Sequence, residues 1–148
     1  MDQIRLRPSV PDDLDLMWTI HRDVWRPLAI RIGTWNELLQ AEMFKQQFDP
    51  SIRRVIQFNQ CDAGFLDIIE GKDFIYLQNF AVSPAYQRRG IATFLLRNIL
   101  ADARAREFNV ILCVMKENES ARRLYERLGF HEAAEGKGIY IMKKENRE

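Results

Sequence analysis

F-A-V-S-P-A-Y-Q-R-R-G-I-A-T, from Phe80 to Thr93, is the stretch that decides the fold of this chain. It reads as the end of a strand, a proline turn, and a basic loop whose glycine opens a helix. The first N–H groups of a helix have no partner inside it, and the helix dipole is positive there. Gly90 lacks a Cβ, so the chain turns tightly and a ligand can reach the backbone. Ala92 keeps the next approach nearly as open, Arg88 and Arg89 add charge, and Thr93 adds a hydroxyl. These are the parts of an anion cradle. The loop has neither the G-x-G-x-x-G of a dinucleotide site nor the Gly-Lys-Ser/Thr of a Walker loop. A second stretch, N-E-S-A-R-R-L-Y-E-R-L-G-F from Asn118 to Phe130, reads as a capped amphipathic helix ended by Gly129. Tyr125 stands among its apolar positions. A phenol there suits proton transfer.

Outward from these stretches, the long strand Phe74 to Val82 leads into the loop, and the helix from Gly90 runs to about Glu107. Ile91, Leu95, Ile99 and Ala103 form one apolar ridge on that helix. Val110 to Met115 is almost continuously apolar, which predicts a strand buried on both faces in the parallel part of a sheet. Two short strands follow the Asn118 helix, around Phe130–Ala133 and Ile139–Lys143. Upstream, Ile4 and Leu6 alternate with Arg5 and Arg7 as a first strand. Asp12 is the expected cap of a helix carrying Leu14, Met17, Ile20, Val24 and Trp25, which Pro27 should end or bend. A second helical pattern spans Thr34 to Phe48, with Trp35, Leu38, Leu39, Met43 and Phe44 on one side. Ile52 to Phe58 and Gly64 to Ile69 read as strands joined by a turn at Asn59–Asp62. The order is β-α-α-β-β-β-α-β-α-β-β. It predicts a mixed α/β (α+β) single domain over residues 1–148, with a central sheet of about six to seven strands flanked by four helices.

The chain has 148 residues, 47 % of them hydrophobic and 29 % charged, with a net charge of +1. That length fits one domain with a sizeable core. The near-neutral balance offers no global field for nucleic acid. Arg97, Arg104, Arg106, Arg122, Arg123 and Arg127 read as solvated helix faces, whereas Arg88 and Arg89 sit in the turn itself. Cys61 and Cys113 do not make a disulfide framework, and no metal-ligand spacing includes His21 or His131. There is no basic-then-apolar leader and no apolar run long enough to span a bilayer. The expectation is a cytoplasmic protein with no metal, no membrane and no nucleic-acid partner.

The two stretches together, V-S-P-A-Y-Q-R-R-G-I-A-T-F-L-L and N-E-S-A-R-R-L-Y-E-R-L-G-F, resemble the successive signatures of the GNAT superfamily of N-acetyltransferases. The resemblance covers Ile75–Phe130 in the family's order and spacing. It implies an acetyl-CoA-dependent acyltransferase that moves the acetyl group directly to a primary amine. The pyrophosphate would lie on the amides of Arg88, Arg89, Gly90, Ile91, Ala92 and Thr93. The pantetheine arm would pair with the backbone of Phe80, Ala81 and Val82 like an added strand. Asn118 would contact the cofactor, and Tyr125 would be the general acid. Relatives usually carry glycine where this chain has Ala92. The resemblance leaves room for a homodimer.

The base does not carry over. Some relatives place a carboxylate on the strand before the loop or on the strand before the tyrosine helix. Here those stretches read Y-L-Q-N-F and I-L-C-V-M, with Tyr76, Gln78, Asn79 and Cys113 but no Asp or Glu. His21 and Glu37, on N-terminal helices that often line the acceptor site in this superfamily, are candidate substitutes, as is a water chain. Trp35 is a candidate wall of the acceptor pocket, although Trp18, Trp25 and Trp35 also suit a core. Cys113 lies in the most apolar strand without an adjacent His, which predicts an inert thiol. The acceptor, a small-molecule amine or a peptide or protein amine, stays open. The missing carboxylate also keeps a second reading, a non-catalytic acyl-CoA-binding module. A third, an anion-binding domain without CoA, has no need of the phenol.

Overall fold

The computed structural model describes residues 2–146. The elements are β1 (Ile4–Pro8), α1 (Leu14–Arg31), α2 (Glu37–Gln46), β2 (Arg53–Phe58), β3 (Cys61–Glu70), β4 (Phe74–Val82), α3 (Ile91–Ala105), β5 (Asn109–Met115), α4 (Glu119–Arg127), β6 (His131–Gly136) and β7 (Ile139–Lys144). Single 3-10 turns at Pro11–Asp13 and Pro84–Tyr86 precede α1 and the loop. The described strands form a seven-stranded sheet in the order β1-β2-β3-β4-β5-β7-β6. β4 and β5 are parallel, and β1–β2, β2–β3, β5–β7 and β6–β7 are antiparallel. This is the mixed α/β order expected from the sequence.

The fold is organised in two compact units. One holds the residues up to Asp67 together with Asn79–Ile91. Its core joins Met17, Ile20, Phe44, Val55, Phe65 and Ala81, with Leu14, Trp18, Val24 and Phe48 against it. β2 buries Val55, Ile56 and Phe58 and is followed by a two-residue turn. Asn59 and Gln60 supply it with φ of 50° and 71°, the left-handed pair that lets a tight hairpin keep the twist of its strands. The register slips between Ile56 and Gln57, where β3 carries an extra residue at Ala63.

The other unit holds Ile68–Gln78 and the residues from Ala92 onward. In it, Phe74 to Leu77 pair with Asn109 to Leu112. α3 turns Leu95, Leu96 and Ala103 inward, and β5 and β7 bury Val110, Leu112, Val114 and Met142. Among the described residues no helix is long and apolar enough to cross a membrane.

Five local expectations are corrected. α1 continues through Pro27 to Arg31, so of the two outcomes expected there the helix end does not occur; a proline costs its helix one N–H bond, and this helix carries on past it. The residue preceding α1 is Asp13, not Asp12, and its carboxylate takes the Val10 N–H at 2.8 Å and the Arg7 guanidinium at 2.8 Å. α2 is shorter than Thr34–Phe48 because Asn36 caps it, accepting from the Leu39 N–H. Of its supposed apolar side only Phe44 is buried; Leu38, Leu39 and Met43 are exposed. β5 is not buried on both faces: burial alternates along it, and Cys113 is exposed.

Candidate active site

The loop expected to hold a phosphate lies in the first unit. After the turn at Pro84–Tyr86 the backbone goes left-handed at Arg88 (φ 64°) and again at Gly90 (φ 76°), and α3 begins at Ile91. Left-handed steps of this kind turn successive N–H groups toward one side, forming a nest for an anion. Arg88, Arg89 and Gly90 are exposed, while Ile91 is buried and anchors the start of the helix. A Cβ placed on Gly90 would meet no atom, so the space beside the loop is open. Arg89 rests its guanidinium over the Phe58 ring at 5.6 Å. Ala92 and Thr93 form the first turn of α3.

Phe80, Ala81 and Val82 end β4 immediately before the loop. The parallel register with β5 stops at Leu77, and Asn79 departs from strand geometry with φ 50°. Gln87 donates from its side chain to the Val82 carbonyl at 2.9 Å, which ties the loop to the strand.

Tyr125 and Asn118 share α4 in the other unit. Asn118 is the cap of that helix and accepts from the Ala121 N–H at 3.3 Å. The sequence L-Y-E-R-L-G-F fixes the opposite end. Gly129 takes φ 98°, its N–H bonds the Glu126 carbonyl, and the Phe130 N–H bonds the Tyr125 carbonyl. This helix-ending pair of bonds brings the residue after the glycine back over the last turn. The buried Phe130 ring therefore meets the Tyr125 ring edge-on at 5.8 Å. Part of the Tyr125 surface stays accessible, yet burial pushes its phenol up to about 12. The hydroxyl has no hydrogen-bond partner among the described residues.

The N-terminal candidates fall into an aromatic group in the first unit. His21 lies 4.7 Å from Phe44, 5.9 Å from Trp18 and 6.5 Å from Trp25, and Trp35 stacks on Trp18 at 6.3 Å. Burial, helped by the Arg53 charge and opposed by Gln40, pushes His21 down to about 4. The imidazole is neutral at pH 7 but is a weak acceptor for an ammonium proton. His21 Nδ1, Trp25 Nε1 and Trp35 Nε1 are buried without a hydrogen-bond partner. Glu37 is exposed in the first turn of α2, 3.9 Å from Arg26.

Two arrangements escaped the reading of the sequence. The Tyr76 hydroxyl lies 3.2 Å from Cys113 Sγ, and that contact, with burial, raises the phenol above its ordinary value. Arg53 and Asp67, each 2 % exposed, form a buried bidentate pair. The signal for the second was present: a carboxylate inside F-L-D-I-I is almost never buried without a cation.

The seven-stranded mixed sheet has the element order expected from the resemblance, and sequence comparison identifies the class. The chain belongs to the acetyltransferase (GNAT) family, whose model matches residues 15–130. It is 42 % identical over 67 residues to the yeast Saccharomyces cerevisiae protein N-alpha-acetyltransferase 40, a match covering 40 % of this chain and 24 % of the relative. It is 38 % identical over 65 residues to the [ribosomal protein bS18]-alanine N-acetyltransferase of Salmonella typhimurium, covering 43 % of this chain and 44 % of the relative. The chain thus spans less than half the length of these relatives. Its fold is similar to that of the PaiA N-acetyltransferase of Thermoplasma acidophilum in complex with coenzyme A, with TM-score 0.78, 16 % identity, and 97 % and 99 % of the two chains covered.

Proposed function

We propose that this chain is an acetyl-CoA-dependent N-acetyltransferase whose acceptor is the α-amine of a protein or peptide. The observation that carries the acceptor is an absence in the sequence: neither β4 (F-I-Y-L-Q-N-F-A-V) nor β5 (N-V-I-L-C-V-M) holds an Asp or Glu. An α-amine, with a pKa near 8, is neutral in about a tenth of molecules at pH 7, and a lysine amine near 10.4 in under a thousandth. The difference is worth about 3 kcal/mol of deprotonation, which an enzyme acting on lysine must supply with a strong base. An enzyme acting on α-amines can leave that proton to water. The two relatives, one named an N-alpha-acetyltransferase and one an alanine N-acetyltransferase, support the same class.

Acetyl-CoA would supply an activated acyl group as a thioester. The loop fits its pyrophosphate: the Arg88–Gly90 backbone is left-handed at two steps, Gly90 faces open space, and α3 adds the positive end of its dipole. Phe80–Val82 would bind the arm through backbone groups, and Asn118 would add a contact. The neutral amine attacks the thioester carbon, the C–N bond forms and the C–S bond breaks. The amine loses a proton to solvent, and Tyr125 supplies the sulfur with one that it regains from water. With its phenol pushed up to about 12, Tyr125 keeps its O–H throughout the working range. It is therefore protonated when charge grows on sulfur, and it donates that proton to the departing thiolate.

The test is thiol release from acetyl-CoA with peptides differing only in whether the N-terminus is free or capped. Release with the free peptides and none with the capped ones is expected. Binding of acetyl-CoA without release on any free peptide would favour the binding-module reading, which the absent carboxylate also suits.

A further inference from the structure

The buried Arg53–Asp67 pair has a third member, and that member sits where β4 changes direction. Arg53 Nε and Nη2 donate to the two Asp67 oxygens at 2.6 and 2.9 Å. The guanidinium is held by the rings of Phe65, Phe44 and Phe48 at 4.4, 4.9 and 5.5 Å. Asp67 Oδ2 also accepts from Asn79 Nδ2 at 2.9 Å. A charge pair in a low-dielectric site has one good geometry, so Asp67 is a fixed point rather than a mobile surface carboxylate.

Asn79 is the residue of β4 whose φ is positive, at 50°. A non-glycine residue adopts that conformation only when something holds it, and Asn does so more readily than others. The hydrogen bond to Asp67 is the hold. Three residues further on, β3 makes room for the redirected chain. A Cβ on Gly64 would run into the Ala81 carbonyl oxygen and come within 3.1 Å of Val82 Cα. The Ser83 N–H then bonds the Ala63 carbonyl at 2.8 Å, at the extra residue of β3. The segment Phe80–Val82 is thus gripped at its start by Asn79 and received at its end by Ala63 and Gly64.

The geometry points to the Arg53–Asp67–Asn79 chain as a positioning device for the cofactor strand: it fixes the left-handed step of β4 so that the backbone groups of Phe80–Val82 face the pantetheine arm. This rests on the reading of Phe80–Val82 as the pantetheine strand. It gives Asn79 a part in donor binding without contact to the donor.

The informative variant is Asn79→Gly, which adopts a positive φ freely but loses the tether to Asp67. Affinity is measured by calorimetry for coenzyme A, and by NMR titration for adenosine 3′,5′-bisphosphate, a nucleotide fragment without the pantetheine arm. Coenzyme A binding is expected to weaken about tenfold, the equivalent of one well-made hydrogen bond. Fragment binding is expected to stay unchanged, which a general loss of structure would not allow. Equal coenzyme A affinity in the two proteins would overturn the proposal, as would loss of both ligands in the same ratio. The parent protein separates this from the underlying reading. If the parent does not bind coenzyme A, the pantetheine assignment fails and takes the proposal with it. If it binds, Asn79 is tested alone.

Discussion

The chemistry proposed for Tyr125 rests on two residues that follow it in sequence. Gly129 ends α4 in a left-handed step, the step brings the Phe130 N–H to the Tyr125 carbonyl, and the Phe130 ring then shields the phenol. The shielded hydroxyl holds its proton below about pH 12. The pH dependence of transfer follows from the signs. The α-amine loses its proton as pH rises through about 8, so the rate climbs and then levels. Tyr125 loses its own proton only far above that, so no falling limb belongs to it. Tyr125→Phe is expected to lower kcat by about 10²- to 10⁴-fold, the usual range for a proton donor, with acetyl-CoA affinity unchanged. Steady-state rates between pH 6 and 10 check both parts. A falling limb near pH 9 that vanishes in the Phe variant would contradict the raised phenol, and a Phe variant as fast as the parent would contradict the assigned acid. His21 shows the opposite lesson at this scale: among Trp18, Trp25 and Phe44 it is held neutral, down to about 4, and is poorly suited to act as a base.

Among the elements, β3 and β4 carry the most consequence. Their close approach at Gly64 is backbone against backbone, so no side chain can yield when volume is added. Gly64→Ala is expected to destabilise the fold by about 1–3 kcal/mol, the usual cost of overpacking. A urea titration reads this as a lower midpoint with unchanged slope; an unmoved midpoint would mean that the strands part easily. Elements whose periodicity or turn chemistry was strong were legible in the sequence: β4, the ridge of α3 and the glycine end of α4 lie where expected. What was illegible depended on partners far along the chain. An apolar run such as V-I-L-C-V-M does not say which face is covered, and Cys113 proved exposed. Leu38, Leu39 and Met43 have the spacing of a buried stripe, yet α2 buries Phe44 instead. The Arg53–Asp67–Asn79 chain links three strands, so no local window contains it.

For the whole molecule, the order of elements and the match over residues 15–130 place the chain in the acetyltransferase (GNAT) family. In the proposed function the donor side rests on residues that lie close in sequence: the Arg88–Thr93 loop and the strand leading into it. The acceptor side has no such signature, and proton affinity is what favours an α-amine there. The α-amine is tested by giving the protein acetyl-CoA and a peptide that carries both a free N-terminus and an internal lysine, then locating the acetyl group by fragmentation mass spectrometry. Acetyl on the α-amine with the lysine unmodified at pH 7 is expected. Acetyl on the lysine side chain with the N-terminus left free would contradict it.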